Sequence, residues 1–422
     1  MHISGDQTIT LKIYNSLTGR KDNFQPLNGN TVEMFTCGPS IYRIPHLGNY
    51  RTLLLADVLA EYLKYRGFST IHALNFTDIE DKAIKEAESN NMAMLELVDY
   101  VADRTLNEME TIGVKPTYNP RSSKSIDAAV EIIEGLLNKG YAYWYKGNVY
   151  FRLERFAEYG KLAGIKKSEI PEQKKRFHRD TYPGNPRNIG DFILWHGYRK
   201  NDNVYWDTPI GRGRPSWNVQ DSAMILKTMG SSIDIMCGGE DSLARHHDYN
   251  IAVMESYTDK KMARYWIHCS HLLAGGKKMS KSRDNIILLE DLLKNGYTPE
   301  EIRFFLIYGH YRQKLNFTYK NIDKSSEKLK SAHEMIRKIQ AITENKGRQV
   351  HRTQKEDEIE TAFIQMMDDD LNVGEGFDTI FRKLSQIRKS GYNISVREAG
   401  ELIDSVQKID QVLKIGLLDI RQ

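Results

Sequence analysis

Three short stretches carry the residue types that chemistry on a triphosphate requires. The first is HLGN, His46 to Asn49, set between the strand-like VEMFTC and a long apolar helical pattern. Where a strand hands over to a helix, the free backbone N–H groups and the helix dipole favour a bound anion. An imidazole and a carboxamide on that first turn, His46 and Asn49, can hydrogen-bond phosphate oxygens; the plainer reading is that His46 caps the helix. The second stretch, KKMSKS, gathers Lys277, Lys278 and Lys281 with Ser280 and Ser282 around Met279, directly after a glycine pair. Such a loop can close cations over the charge that develops on a leaving pyrophosphate; its plainer reading is an exposed basic turn. The third, CGGED (Cys237 to Asp241), follows the strand-like SIDIMC. A glycine pair at the carboxyl end of a strand lets a nucleotide approach the backbone, and an adjacent carboxylate can hold ribose hydroxyls. Alone this is weak. In chain order between the other two, it predicts that all three stand at sheet edges around one crevice.

The elements that must position these groups follow from periodicity. Val32 to Cys37 reads as a short buried strand closed by a CGP turn. From Thr52 to Tyr65, Leu54, Leu55, Val58, Leu59, Tyr62 and Leu63 recur at helical spacing, Gly67 ends the helix, and STIHALN reads as the next strand. Strand, helix and strand at this spacing make a βαβ unit, hence an α/β fold with a parallel sheet. A mostly helical stretch reaches about Lys115. Between about Pro116 and Asp207 the pattern turns irregular, rich in Pro, Gly and Tyr, with the basic cluster KKRFHR at Lys174 to Arg179; it reads as an insertion. Sheet character returns at SIDIMC, CGGEDSLARHH and an apolar helix from Asn250 follow, and beyond about Tyr319 the chain is charged and helical. The expected division is 1–115 and 208–275 as two halves of a nucleotide-binding domain, 116–207 as the insertion, 276–319 as the lysine-loop segment and 320–422 as a helical bundle.

Composition sets the class. The 422 residues are 40% hydrophobic and 27% charged, as in a globular chain of more than one domain, not a disordered one. A net charge of +4 permits an anionic partner such as ATP or RNA without demanding one. The three cysteines, Cys37, Cys237 and Cys269, are too few and too scattered for a disulfide framework, which points to a reducing cytoplasm. No apolar run approaches a membrane span, and MHISGDQTIT lacks the layout of a signal peptide.

Longer matches then come into view. CGPS at Cys37, NFTDIEDKAIKEA at Asn75 to Ala87, DFILW at Asp191 to Trp195, GRPSWNVQDSAM at Gly213 to Met224 and MDDDLN at Met367 to Asn372 stand in order around the three motifs. Taken together, the chain resembles cysteinyl-tRNA synthetase, from about Leu11 onward. It is also similar to the cysteine ligase of mycothiol biosynthesis, which joins cysteine to an aminosugar instead of tRNA. The resemblance implies a class I architecture: a Rossmann-type catalytic domain split by an insertion, a KMSKS-bearing segment and an α-helical bundle. It implies that His46 and Asn49 contact ATP phosphates beside Gly48. Lys278 and Lys281 would stabilise the transition state at the α-phosphate, with Met279 and Ser280 in the same loop, and Gly238, Gly239 and Asp241 or Glu240 would hold the adenosine. The reaction implied is attack of an amino-acid carboxylate on ATP, used with Mg, to give an aminoacyl-adenylate, then transfer to an acceptor. No side-chain nucleophile is expected. The amino-acid pocket implied comprises Cys37, Gly38, Thr77, Asp78, Trp217, Asp221 and Cys237.

Two departures from the family keep alternatives open. The family binds the substrate thiolate through a zinc ion held by two Cys, one His and one Glu; the matching positions here are Cys37, Asp221, His246 and Asn250. A carboxamide is a poor zinc ligand, so Cys237 could swing in as a replacement, or the metal is absent and these are ordinary pocket groups. With the metal gone, Asp221 could pair with a cationic side chain and the activated amino acid could be one other than cysteine. The chain also ends at VLKIGLLDIRQ, where the family continues into a small anticodon-binding domain, which is therefore expected to be missing. The bundle could still touch a tRNA backbone. Three functions remain on sequence grounds: a ligase charging tRNA with cysteine, a tRNA-independent ligase acting on the amine of a small molecule or protein, and a non-catalytic nucleotide- or tRNA-binding relative.

Overall fold

The computed structural model describes residues 11–164, 190–200, 202–279, 283–344 and 358–418. A hairpin of β1 (Lys12–Asn15) and β2 (Arg20–Asn23) leads into β3 (Thr31–Thr36), and α1 (Leu47–Tyr65) carries the chain to β4 (Ser69–Leu74). β3 and β4 pair in parallel, Met34 opposite His72, which is the βαβ unit the periodicity predicts. α1 begins at Leu47, not Thr52, and its six predicted apolar positions are all buried. Leu53, Ala56 and Ala60 are buried as well, because the helix lies between the sheet and later helices and has almost no wet face.

Helices α2 (Asp81–Ser89), α3 (Met94–Thr111) and α4 (Ile126–Asn138) follow. The stretch that reads as irregular holds α4 and most of an antiparallel sheet, β5 (Ala142–Tyr145), β6 (Asn148–Phe151), β7 (Phe192–Gly197) and β8 (Gly213–Pro215). Three of these strands have only three or four residues, too short to show a period. The basic cluster Lys174 to Arg179 lies outside the described residues.

α5 (Trp217–Met229), β9 (Ile233–Gly239), α6 (Asp248–Thr258) and β10 (Ala263–Cys269) complete the main sheet. Its order is β10-β9-β3-β4 and every pairing is parallel. One apolar core forms around α1, with Ile235 and Ile267 from the strands; a second holds Ile132, Ile133 and Leu136 of α4 with Met224, Met236 and Val253. Burial on both faces explains why the strands read as continuous apolar runs.

Next come β11 (Leu272–Ala274) and β12 (Lys277–Lys278), paired antiparallel across Gly275 and Gly276, which both adopt positive φ. α7 (Leu289–Lys294), α8 (Pro299–Tyr308) and β13 (Leu315–Phe317) follow, β13 pairing parallel with β11. The chain ends in helices α9 (Tyr319–Glu344), α10 (Glu358–Asp368), α11 (Val373–Lys389) and α12 (Val396–Leu413). Their apolar faces join the α1 core, so this helical bundle is packed onto the sheet domain. The fold is therefore α/β, with a parallel sheet, an inserted antiparallel sheet and a helical end. No helix among the described residues is long and apolar enough to cross a membrane.

Candidate active site

The three motifs meet. A crevice of about 170 Å³ opens at the carboxyl ends of β3, β9 and β10, and HLGN, CGGED and the lysine loop contribute His46, Gly48, Asn49, Gly239, Asp241, Lys278 and Met279 to its wall. This is where open parallel sheets bind ligands. His46 is also the N-cap of α1: its Nδ1 accepts the Gly48 N–H at 3.1 Å, and Asn49 Oδ1 accepts the His46 N–H at 3.1 Å. Cap and crevice wall are thus one arrangement, not alternatives. With Nδ1 engaged as an acceptor, the neutral ring carries its proton on Nε2, and burial lowers its pKa so that it stays neutral. A Cβ at Gly48 would stand 3.0 Å from the ring, so glycine is what lets the imidazole fold back.

The lysine loop is tied to the same place. Leu47 donates its N–H to the Ile287 carbonyl at 2.8 Å, pinning the chain beyond the loop against HLGN. Lys278 Nζ lies 3.3 Å from Asp241 Oδ2 and 3.2 Å from His271 Nε2, with half of its side chain exposed. Ser280 and Lys281 lie outside the described residues. Of the two carboxylates left open by the motif, Glu240 turns away: it accepts Ser270 Oγ at 2.7 Å and the His271 N–H at 3.1 Å. Burial pushes its carboxyl up, but those bonds and the His271 ring hold it below its ordinary value. Asp241 is the carboxylate in the crevice. Gly238 is not among the residues lining the crevice: a Cβ there would meet His247 Cε1 at 2.6 Å and Cys37 Cβ at 3.7 Å, so it borders the cluster described next.

Beside the crevice, Cys37, Asp221, His246 and His247 bring one donor atom each to within 4.8 Å of one another. Cys37 Sγ is 3.3 Å from His246 Nε2, which is 2.9 Å from Asp221 Oδ2. Trp217 stacks on His246, ring centres 4.8 Å apart. Asp221 is 1% exposed and accepts Asn75 Nδ2 at 2.8 Å and Asn250 Nδ2 at 3.3 Å. Burial first, then Asp221, raises the Cys37 thiol well above its ordinary pKa. Gly38 donates to Asn75 Oδ1 at 2.5 Å and lines the crevice. Cys237 does not swing in: it is fully buried in β9 outside the cluster, its thiol pushed up to about 12 by burial. Thr77 and Asp78 do not line the crevice. The Thr77 backbone exchanges bonds with Pro39 and Ile41, and Asp78 is spent on Arg121 Nε at 2.9 Å and on Ser123. Each Asp221 oxygen is thus held by one side-chain amide N–H.

Sequence reading missed His247, Asn75, His271 and Arg51. Arg51 is 3% exposed and donates to the carbonyls of Ser270, His271, His310 and Gln313 at 2.7 to 3.2 Å, fixing the crevice floor to α1. Its place two residues past HLGN was the available signal. For His247 the doublet HH is the signal, of which only His246 matches a ligand position of the family.

Comparison with known proteins places the chain in a family. The family described as "tRNA synthetases class I (C) catalytic domain" matches residues 23–327. The chain is 34% identical over 405 residues to a cysteine–tRNA ligase of Brachyspira hyodysenteriae, covering 95% of this chain and 85% of that one. It is 34% identical to that of Thermococcus onnurineus, covering 95% and 86%. Among solved structures, Mycobacterium tuberculosis methionyl-tRNA synthetase in complex with methionyl-adenylate superposes with a TM-score of 0.65 at 14% identity, over 92% of this chain and 90% of that one, a likeness of fold alone.

Proposed function

The chain belongs to the cysteine–tRNA ligase family of class I aminoacyl-tRNA synthetases, and on that premise we propose how its own residues divide the work. It is an ATP-dependent ligase that forms an aminoacyl-adenylate. The amino acid is cysteine and the acceptor tRNA, with the helical bundle α9 to α12 against the tRNA backbone. A cysteine carboxylate oxygen attacks the α-phosphorus of ATP, the bond to the bridging oxygen breaks, and pyrophosphate leaves with the electron pair. A tRNA hydroxyl oxygen then attacks the acyl carbon, its proton passing to the departing phosphate or solvent, and the acyl–oxygen bond breaks to release AMP.

The observation that carries this reading is the convergence of His46, Asp241 and Lys278 on one crevice. His46 Nε2–H donates to a phosphate oxygen while Nδ1 stays on the helix cap. Lys278, held ready by Asp241 and His271, and Lys281 meet the charge that grows on the α-phosphate and pyrophosphate; Mg, when bound with ATP, would supply further positive charge. Asp241 takes the ribose hydroxyls. No proton need leave a side chain for adenylation, so positioning and charge supply the rate. Cys37, Asp221 and His246 would hold a zinc ion next to the amino acid. The donor set fits: one thiol, one carboxylate and imidazoles, with the buried His247 Nε2 lacking any partner. Bound there, zinc would supply a Lewis-acid site for the substrate thiol.

The test is cysteine-dependent ATP–pyrophosphate exchange alongside charging of total tRNA with labelled cysteine. Both activities are expected, and Lys281→Ala should slow exchange by about 100-fold or more with unchanged thermal unfolding. Exchange without charging would sink tRNA as acceptor; unchanged exchange in Lys281→Ala would sink the loop's role.

A further inference from the structure

We infer that this chain builds a metal centre from Cys37 Sγ, Asp221, His246 Nε2 and His247 Nε2, with Asn250 acting behind the ligands and not among them. The inference rests on the zinc reading above and deepens it by assigning the fourth donor. The geometry is already close to that of a metal shell. Bonds of about 2.0 to 2.3 Å to nitrogen, oxygen and sulfur set tetrahedral donor separations of about 3.3 to 3.8 Å. One donor atom from each of the four residues falls within 4.8 Å of the others, with His246 Nε2 2.9 Å from Asp221 Oδ2 and 3.3 Å from Cys37 Sγ.

His247 is distinguished by what surrounds its two nitrogens. The residue is fully buried. Nδ1 lies 2.8 Å from His268 Nε2, and His268 Nδ1 lies 2.8 Å from Ser16 Oγ. That relay orients the His247 ring as an outer partner orients a metal-bound imidazole. It also leaves Nε2 buried and without a hydrogen-bond partner, a costly state for a polar atom unless something else occupies it. Gly238 makes the approach possible, since any Cβ there would collide with His247 Cε1 at 2.6 Å. Asn250 differs. Its Nδ2 donates to Asp221 Oδ2 at 3.3 Å, so the amide presents an N–H, not an oxygen, to the carboxylate that would bind the ion. Its Oδ1 is buried without a partner as well, yet a carboxamide is a weaker donor to a borderline divalent cation than a neutral imidazole. Asn75 on the other Asp221 oxygen completes the outer support.

The resulting centre contains one thiolate, one carboxylate and two neutral imidazoles. With a divalent cation it is neutral overall, which suits a buried position. Binding breaks the S–H bond of Cys37, forms the metal–sulfur bond and releases that proton to solvent. Zinc or cobalt(II) fits this mixed set; calcium and magnesium, which demand oxygen donors, do not.

The full-length chain is loaded with cobalt(II) and studied by absorption and X-ray absorption spectroscopy. One equivalent should bind, with a thiolate-to-cobalt charge-transfer band that Cys37→Ser abolishes and scattering from two imidazoles. His247→Gln should weaken cobalt binding by well over 100-fold, more than the effect of removing an outer-shell partner, and Asn250→Ala by about 10-fold. Circular dichroism monitors folding of each variant; because the imidazole count is read on the unmutated chain, it decides even where His247→Gln does not fold. One imidazole, or loss of the band in Asn250→Ala with retention in His247→Gln, overturns the assignment. No stoichiometric binding overturns it together with the zinc reading. Pyrophosphate exchange on the same preparations reports separately on adenylate formation.

Discussion

A single ring joins two functions at His46. Its Nδ1 accepts one N–H of the first turn of α1 while the residue lines the crevice, so the two can be separated by substitution. Asn is as good a helix cap as any residue, but its short carboxamide cannot cap and reach a phosphate together. His46→Asn is therefore expected to leave thermal stability within about 1 kcal/mol while lowering the pyrophosphate exchange rate by on the order of 100-fold. A large stability loss with normal exchange would reverse the assignment. Gly38 is constrained by backbone, not chemistry. A Cβ there would stand 1.9 Å from the Asn75 carbonyl oxygen, and Asn75 also holds Asp221. Gly38→Ala should raise the KM for cysteine and lower stability together, read from exchange kinetics and urea unfolding. At this scale the sequence displayed residues that line the crevice, because HLGN and KKMSKS concentrate them in contiguous runs. It did not display Asn75, His247 or Arg51, whose roles depend on partners many residues away.

Between elements, the decisive contacts are buried ion pairs. Arg303 on α8 is 1% exposed and donates to Asp57 of α1 at 2.6 Å, to the Leu413 carbonyl at 2.6 Å and to the Ile112 carbonyl at 2.9 Å. Lys414 reaches the same carboxylate at 3.0 Å. Burial pushes the Asp57 carboxyl up, but Arg303 and Lys414 outweigh it and hold the group below its ordinary value. One guanidinium thus staples α1, the end of α3, α8 and the end of α12. Arg303→Leu leaves that carboxylate short of its main partner in a dry site, a loss of about 3 to 5 kcal/mol measurable by urea denaturation. The double variant Asp57→Leu, Arg303→Leu should recover much of it; no recovery would mean that packing, not charge, carries the effect. In the MDDDLN turn, Asp370 has a similar role, accepting the Tyr14 N–H at 2.8 Å, Tyr311 Oη at 2.5 Å and Arg312 Nε at 2.7 Å. These links attach the bundle to the catalytic half, so the arrangement around α1 is shared by site and scaffold.

For the whole molecule, buried neutral histidines set the acid limit. His72, at the centre of β4 and 4% exposed, is 2.9 Å from Thr36 Oγ1, and burial pushes its pKa down to about 4. An unfolded chain takes up that proton near pH 6.5, whereas the folded chain refuses it until about pH 4. Stability is therefore complete above about pH 6.5 and falls as pH drops through the window, by on the order of 3 kcal/mol for this one group. His72→Gln, which can keep the Thr36 contact, should flatten the fall in urea-unfolding free energy between pH 7 and pH 4.5. An unchanged slope would assign acid sensitivity to other groups.

Local pattern alone determined the α/β class, the βαβ start, the helical end and the ATP-handling motifs with their order, since each is written in contiguous residues or a short period. Tertiary structure alone decided that Asp241 and not Glu240 faces the crevice, that Asp78 belongs to Arg121, and that His247 stands with Cys37, Asp221 and His246. Such outcomes depend on which way a side chain turns after distant strands have paired. Adjacent residues offer the same chemistry, and only packing chooses between them.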